Sequence, residues 1–256
     1  MIANYHTHTW RCMHAGGSER EYVEQAIAAG IQVLGFSDHT PYPFPNGYVS
    51  YFRMVPGQAE DYFTILSDLK REYAGEIEIH IGVEAEYYPA HFEQLLRFLA
   101  DFPCEYMLMG QHFTHNETDG VYSGSRTDEE AVLTQDVTQV LEGLQTGLFT
   151  YLAHPDLLNW RGSRTVYDRE MERLCRGAKA LNIPLEINLL GLHECRHYPA
   201  LPFWQIAARV GNAVILGCDA HQPEALNRPQ AEDEGRAFAA ELSLPLLDTV
   251  ALQSIF

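Results

Sequence analysis

Positive charge is what this sequence has least of. It sets 17 Lys+Arg against 35 Asp+Glu, a formal net charge of −18. A surface that acidic repels nucleic-acid backbone and anionic lipid, so neither is an expected partner. An anionic substrate would have to be held by a local concentration of positive charge. Cysteine is also sparse: the 5 residues Cys12, Cys104, Cys175, Cys195 and Cys218 are odd in number, widely spaced and form no C-x-x-C. This excludes a disulfide framework or a zinc ribbon and fits a reducing cytosol. There is no basic-then-apolar leader and no apolar run of membrane-spanning length, so a cytoplasmic chain is expected. Neither G-x-G-x-x-G nor a Walker-type lysine loop occurs, so no nucleotide cofactor is indicated. No repeat, linker or low-complexity tract interrupts the 256 residues, and one domain spanning 1–256 is the expected organisation.

What is present is alternation. Short β-rich runs (IANYH, QVLGFSD, IEIHIGVEAEY, YMLMGQH, FTYLAH, PLEINLL, AVILGCDAH) are separated by amphipathic stretches at 18–29, 57–73, 90–101, 128–145, 168–181, 202–210 and 230–241. Strand then helix, repeated, predicts a parallel α/β sheet with right-handed crossovers. Seven strands in a chain of this length predict a closed or nearly closed barrel, with an open doubly wound sheet as the alternative.

Chemistry collects where these runs end: His6-Thr7-His8, Ser37-Asp38-His39, Glu84-Ala85-Glu86, Gln111-His112, Ala153-His154-Pro155, Glu186-Ile187-Asn188 and Asp219-Ala220-His221. In a parallel barrel the carboxyl ends of all strands share one rim, where sites are built. Side-chain direction in a strand has period two, so His6 and His8, and likewise Asp219 and His221, face the same way. Imidazole with carboxylate and no thiolate suits hard-to-borderline divalent metals. Isolated buried imidazoles and carboxylates would each need a partner, and a shared set of cations supplies all of them at once.

In this order HTHTWRCMHA, GFSDHTP, FRM, GVEAEY, GQHF, YLAHPD, EIN and GCDAH resemble the PHP family of metal-dependent phosphoesterases, and within it the monofunctional histidinol-phosphatase branch. C-x-H-A after the H-x-H and Arg53-Met54 are the more branch-specific pieces. The resemblance spans essentially the whole chain. It implies a distorted (β/α)7 barrel holding two to three divalent ions, zinc, manganese or iron. It further implies that His6, His8, Glu84 and Asp219 hold the first ion. Glu84 would bridge to a second ion held by His112 and His154, with a third on His14, His39 and His221. The implied activity is hydrolysis of L-histidinol phosphate in histidine biosynthesis. The alternative is another small phosphorylated metabolite. An amidohydrolase also opens with H-x-H, but no strand here ends on lysine, and the imidazoles of His14, His39 and His221 suit a third ion.

The leaving alkoxide needs a proton, for which Asp219 and His221 are the candidate side chains. Arginine's planar fork suits phosphate, and Arg53, Arg161 and Arg196 lie in loops after strand ends. Arg53 falls in the aromatic, proline-rich segment TPYPFPNGYVSYFRM, which reads equally as a lid or as packing on the barrel top. The branch's EINTSGLR is replaced here by EINLLGLHECR, so His193 stands where the family's arginine is expected, three residues before Arg196. His80 reads as a hydrogen-bonded core residue, His91 as surface, and Cys12 and Cys218 as packing. Glu86 shares the parity of Glu84 and is expected to orient a ligand, as are Glu186 and Asn188. Strand alternation turns Asp38 away from His39.

Overall fold

The computed structural model describes residues 1–256 apart from the side chain of Asn46. Its strands are β1 Ala3–Asn4, β2 Val33–His39, β3 Glu78–Ala85, β4 Tyr106–Met109, β5 Phe149–Leu152, β6 Leu185–Asn188, β7 Val214–Gly217 and β8 Leu246–Leu247. Its α-helices are α1 Glu19–Ala28, α2 Ala59–Glu72, α3 Phe92–Leu99, α4 Glu130–Gln145, α5 Arg164–Ala180, α6 Leu189–His193, α7 Leu201–Val210 and α8 Pro229–Glu241. All strands are parallel and stand in sequence order β1 to β8 in one curled sheet. The α/β class and the seven expected strands are therefore present. The expected count of seven is corrected to eight, because LPLL adds a two-residue strand whose Leu246 pairs with Val214 of β7.

The strands read as nearly continuous apolar runs because both faces are covered. Helices pack outside: α2 buries Tyr62, Phe63, Leu66 and Leu69 along one stripe. Inside the curl, Tyr5, Tyr106, Leu108, Tyr151 and Ile215 form a separate apolar cluster. The chain after β8 runs beneath it, where Val250 meets the Tyr5 hydroxyl (3.4 Å) and the Gln253 amide donates to Thr150 Oγ1 (3.1 Å). At the opposite, carboxyl end the sheet is drawn together across its edges. Thr7 bridges Ala220, the His8 amide donates to Ala220 O (2.9 Å), and the Ala220 amide donates to His6 O (3.1 Å). The two segments that carry H-x-H and D-x-H are thereby laid side by side.

The sixth strand ends at Asn188, where its run is expected to end, and the rest of the apolar run turns into α6, which the Asn188 side chain caps by accepting from the Gly191 amide (2.8 Å).

Candidate metal centre

Glu84, at the end of the central β3, is the hub. It is 1% exposed. Its Oε1 lies 2.8 Å from His154 Nε2, 3.6 Å from His6 Nε2 and 3.7 Å from His112 Nε2. Its Oε2 lies 3.0 Å from His39 Nδ1 and 3.7 Å from His8 Nε2. Asp219 Oδ1 is 3.1 Å from His8 Nε2 and 3.5 Å from His6 Nε2. Backbone room is made for this crowding: a Cβ on Gly110, just past β4, would stand 1.8 Å from Glu84 Oε1. His154 and Asp219 are held at φ 29° and 47°, left-handed conformations that cost about 1–3 kcal/mol each and persist where the surroundings over-determine them.

The second nitrogen of each imidazole decides what the first can do. His6 Nδ1 donates to Glu186 Oε2 (2.7 Å), His112 Nδ1 to Glu86 Oε1 (2.9 Å), and His8 Nδ1 faces Asp38 Oδ1 (3.4 Å). Those donations leave the Nε2 lone pairs of His6 and His8 aimed at carboxylate oxygens. His14 Nδ1 donates to Cys12 O (2.7 Å) and His221 Nδ1 to Asp219 O (3.0 Å), and their two Nε2 atoms meet at 2.9 Å. Lone pair against lone pair, and lone pair against carboxylate, repel unless a cation lies between them. His6 Nε2, His8 Nε2, His39 Nδ1 and Glu84 Oε2 are buried and have no hydrogen-bond partner among the described residues. Divalent cations satisfy these atoms together, so the donor set fits them.

Without metal, the charges displace one another's titration. Burial alone would depress His6, yet Glu186, Asp219 and Glu84 hold it well above the usual imidazole range. His8, also buried, is raised to about 9 by Asp219 and Asp38. His221 is driven down to about 3 by burial and by His8. Burial would raise Glu84 and Asp219, but the surrounding imidazoles hold both well below the carboxylate range.

The nine residues expected to act as ligands converge. Four triads bring donor atoms within 4.8 Å of one another: His6–His8–Asp219, His6–Glu84–His154, His8–His39–Glu84 and His14–His39–His221. His112 joins through its 3.7 Å approach to Glu84. A further triad adds Cys12 to His8 and His221. Burial and Asp38 push the Cys12 thiol up, so it stays protonated and packs, as its sequence context suggests.

The expected substrate contacts fare differently. Arg53 is buried and does not line the cavity. Its Nη1 and Nη2 grip both oxygens of Glu86 (3.0 and 2.8 Å) and its Nε donates to Glu117 (2.7 Å). The reading of Arg53 as a phosphate contact is thus corrected: every face of its fork is taken by protein acceptors, and it anchors the carboxylate that orients His112. Arg161 opens on an adjoining cavity of about 280 Å³ with Trp160, Arg164 and His197. Arg196 lines the main cavity of about 580 Å³, which is also lined by seven of the nine metal-ligand candidates, all but His6 and His8. His193 is exposed on α6 and is not among the residues lining that cavity. Sequence reading also missed that Asp38 crosses from β2 to His8, and that buried Arg11, paired with Glu19 and Asp61, pins the loop that carries His14.

The PHP domain model matches residues 4–190. The chain belongs to the PHP family. A probable histidinol-phosphatase of Deinococcus radiodurans is 29% identical over 232 residues, 87% of each chain. The histidinol-phosphatase of Bacillus subtilis is 26% identical over 272 residues, 93% of this chain and 97% of that one. Among solved structures, the fold resembles a Lactococcus lactis histidinol phosphate phosphatase crystallised with zinc, L-histidinol and phosphate, at a TM-score of 0.74 and 18% identity over 99% of this chain and 97% of that one. Among the described residues, no helix of this PHP protein is long and apolar enough to cross a membrane.

Proposed function

We propose that this PHP protein is a metal-dependent phosphomonoester hydrolase that converts L-histidinol phosphate and water to L-histidinol and phosphate. The observation that carries this reading is the set of imidazole nitrogens turned on one another and on Glu84 and Asp219, an arrangement that a shared set of divalent cations satisfies at once. The names of the curated relatives narrow the reading to histidinol phosphate. In it, His6, His8, Glu84 and Asp219 hold one ion, Glu84, His112 and His154 a second, and His14, His39 and His221 a third. When bound, such ions supply positive charge for the phosphate and Lewis acidity toward water.

The chain's own groups do the rest. Glu186, Glu86 and Asp38 fix which imidazole nitrogen carries a proton, so the ligand nitrogens are preset. Asp219 and His221 are the side chains proposed to handle the proton that passes from the attacking water to the leaving alkoxide. Arg196, on the cavity wall, is proposed to meet phosphate with the Nη protons that its bonds to Glu194 and Tyr198 leave free. The acidic surface favours a small metabolite over a polyanion, and the reading puts one domain, 1–256, in the cytoplasm.

The test is phosphate release by the zinc- or manganese-loaded protein from L-histidinol phosphate beside 4-nitrophenyl phosphate. A kcat/KM of about 10⁴ M⁻¹s⁻¹ or more on the first, well above the second, is expected. Equal, feeble rates on both would leave a phosphoesterase with another small substrate, the reading that the LLGLHECR segment favours.

A further inference from the structure

Three carboxylates line the main cavity: Glu84, Asp219 and Glu194. The first two are spent on the imidazole cluster. Glu194 stands outside it, just past α6, in the segment that departs from the branch pattern. A line of contacts connects it to the centre. The Tyr198 ring lies 6.0 Å from the His154 ring, Arg196 Nη1 donates to the Tyr198 hydroxyl (2.8 Å), and Arg196 reaches Glu194 through Nε and Nη2 (2.8 and 2.7 Å). Both of those bonds fall on Oε2. Glu194 Oε1 accepts no hydrogen bond among the described residues, and the side chain is 47% exposed. Tyr51, Phe52, Phe113 and Tyr122 form the cavity's aromatic wall, with successive ring centroids 5.7, 5.8 and 5.4 Å apart.

We infer that Glu194 is a specificity-determining residue that receives the substrate's ammonium group through Oε1. The inference rests on the histidinol phosphate reading. A substrate of that class carries its ammonium on the carbon next to the ester-bearing one. With phosphate at the imidazole cluster and Arg196 beside it, the next group up the wall from Arg196 is Glu194. The aromatic wall takes the flat imidazole ring of the leaving group. The ion pair with Arg196 aims Glu194, and a charge-assisted bond of this kind discriminates roughly tenfold to a hundredfold.

The experiment compares L-histidinol phosphate with 3-(imidazol-4-yl)propyl phosphate, which lacks only the amine, on the zinc-loaded protein and its Glu194→Gln variant. The unsubstituted protein should prefer the amine substrate, and the ratio of the two kcat/KM values should fall tenfold to a hundredfold in Glu194→Gln, chiefly through KM. Glu194→Asp should fall between the two. Calorimetry with L-histidinol gives a readout without turnover, in which the variant's Kd should rise by the same factor. A ratio within twofold of the unsubstituted protein's, or an unchanged Kd, overturns the inference while leaving the phosphatase reading intact. A loaded protein that hydrolyses neither ester overturns both.

Discussion

The two halves of the centre are built from the same residue types but held by different means. In the inner half, around Glu84, the imidazoles of His6, His8 and His112 are each backed by a carboxylate, and every member of the His6–Glu84–His154 triad is buried. In the outer half, His14 and His221 are backed by the carbonyls of Cys12 and Asp219, and His14 is exposed. A carboxylate behind an imidazole raises its basicity and fixes its tautomer, whereas a neutral carbonyl fixes the tautomer with less charge. The inner half should therefore hold metal the more tightly and the outer half exchange it the more readily.

Removing a ligand from each half breaks the comparison most directly. His154→Ala takes one of the nitrogens nearest Glu84 and should cut kcat about a thousandfold, close to 4 kcal/mol of transition-state stabilisation. His14→Ala should cost about tenfold, and excess zinc should restore most of it. Metal content by mass spectrometry alongside kcat checks both. Equal losses that metal does not rescue would erase the distinction between the halves. Chelation should show the same order, with the outer ion leaving first and the melting temperature falling further as the inner ions leave.

The backing carboxylates should matter in proportion to their support. Arg53→Met leaves Glu86 buried with its fork removed, so His112 loses a fixed partner. Metal affinity at the inner half should weaken about 10–100-fold, with kcat largely recovered at saturating metal. Glu86→Gln should behave alike. A rise in KM for substrate with unchanged metal affinity would return Arg53 to the substrate.

These supports separate what was legible in the sequence from what was not. Eight of the nine candidate ligands were legible because they recur at strand ends, whereas His14, in the loop after β1, was named only through the family resemblance. Glu86 was too, since it shares the parity of Glu84, and Glu186 and Asn188 close β6. Asp38 was not: alternation turned it from His39 correctly, but its partner, His8, lies on a neighbouring chain segment, and periodicity says nothing across strands. Arg53 was misassigned because its acceptors Glu86 and Glu117 lie 33 and 64 residues away. The helix α6 hid in an apolar run that suits strand and helix equally, and only the Asn188 cap decides between them. Two-residue β8 is set by pairing with β7 and carries no pattern of its own.

Protons sharpen the comparison, because in metal-free protein they stand where the ions belong. His6, His8 and His154 are raised in the folded state, His8 to about 9, against an unfolded value near 6.5. The folded chain therefore holds more protons than the unfolded one between about pH 6.5 and 9. Stability from these groups is complete below pH 6.5 and is lost as pH rises toward 9. His14, His39 and His221 are depressed, so their difference from the unfolded state falls on the acid side of 6.5 and leaves this window alone. Thermal melts of the apoprotein should drop steadily across that window, while zinc-loaded protein, its lone pairs donated to metal, should stay flat. A flat apoprotein profile would mean that the inner half is not held together by protons.

The smallest effect belongs to Arg161, and its smallness is informative. Its position after AHPDLLNW suggests a phosphate contact, which would make Arg161→Ala raise KM several-fold. The structure turns the side chain toward a separate cavity beside Arg164 and His197, with the backbone fixed by the Arg161 amide donating to Thr127 O at 2.7 Å. That bond survives truncation to alanine. Both kinetic constants on L-histidinol phosphate should accordingly stay within about twofold, whereas Arg196→Ala, on the main cavity wall, should raise KM about tenfold. If Arg161→Ala were the more damaging of the two, the wall between the cavities would have to open during turnover, and phosphate would be reached from the His154 side of the centre.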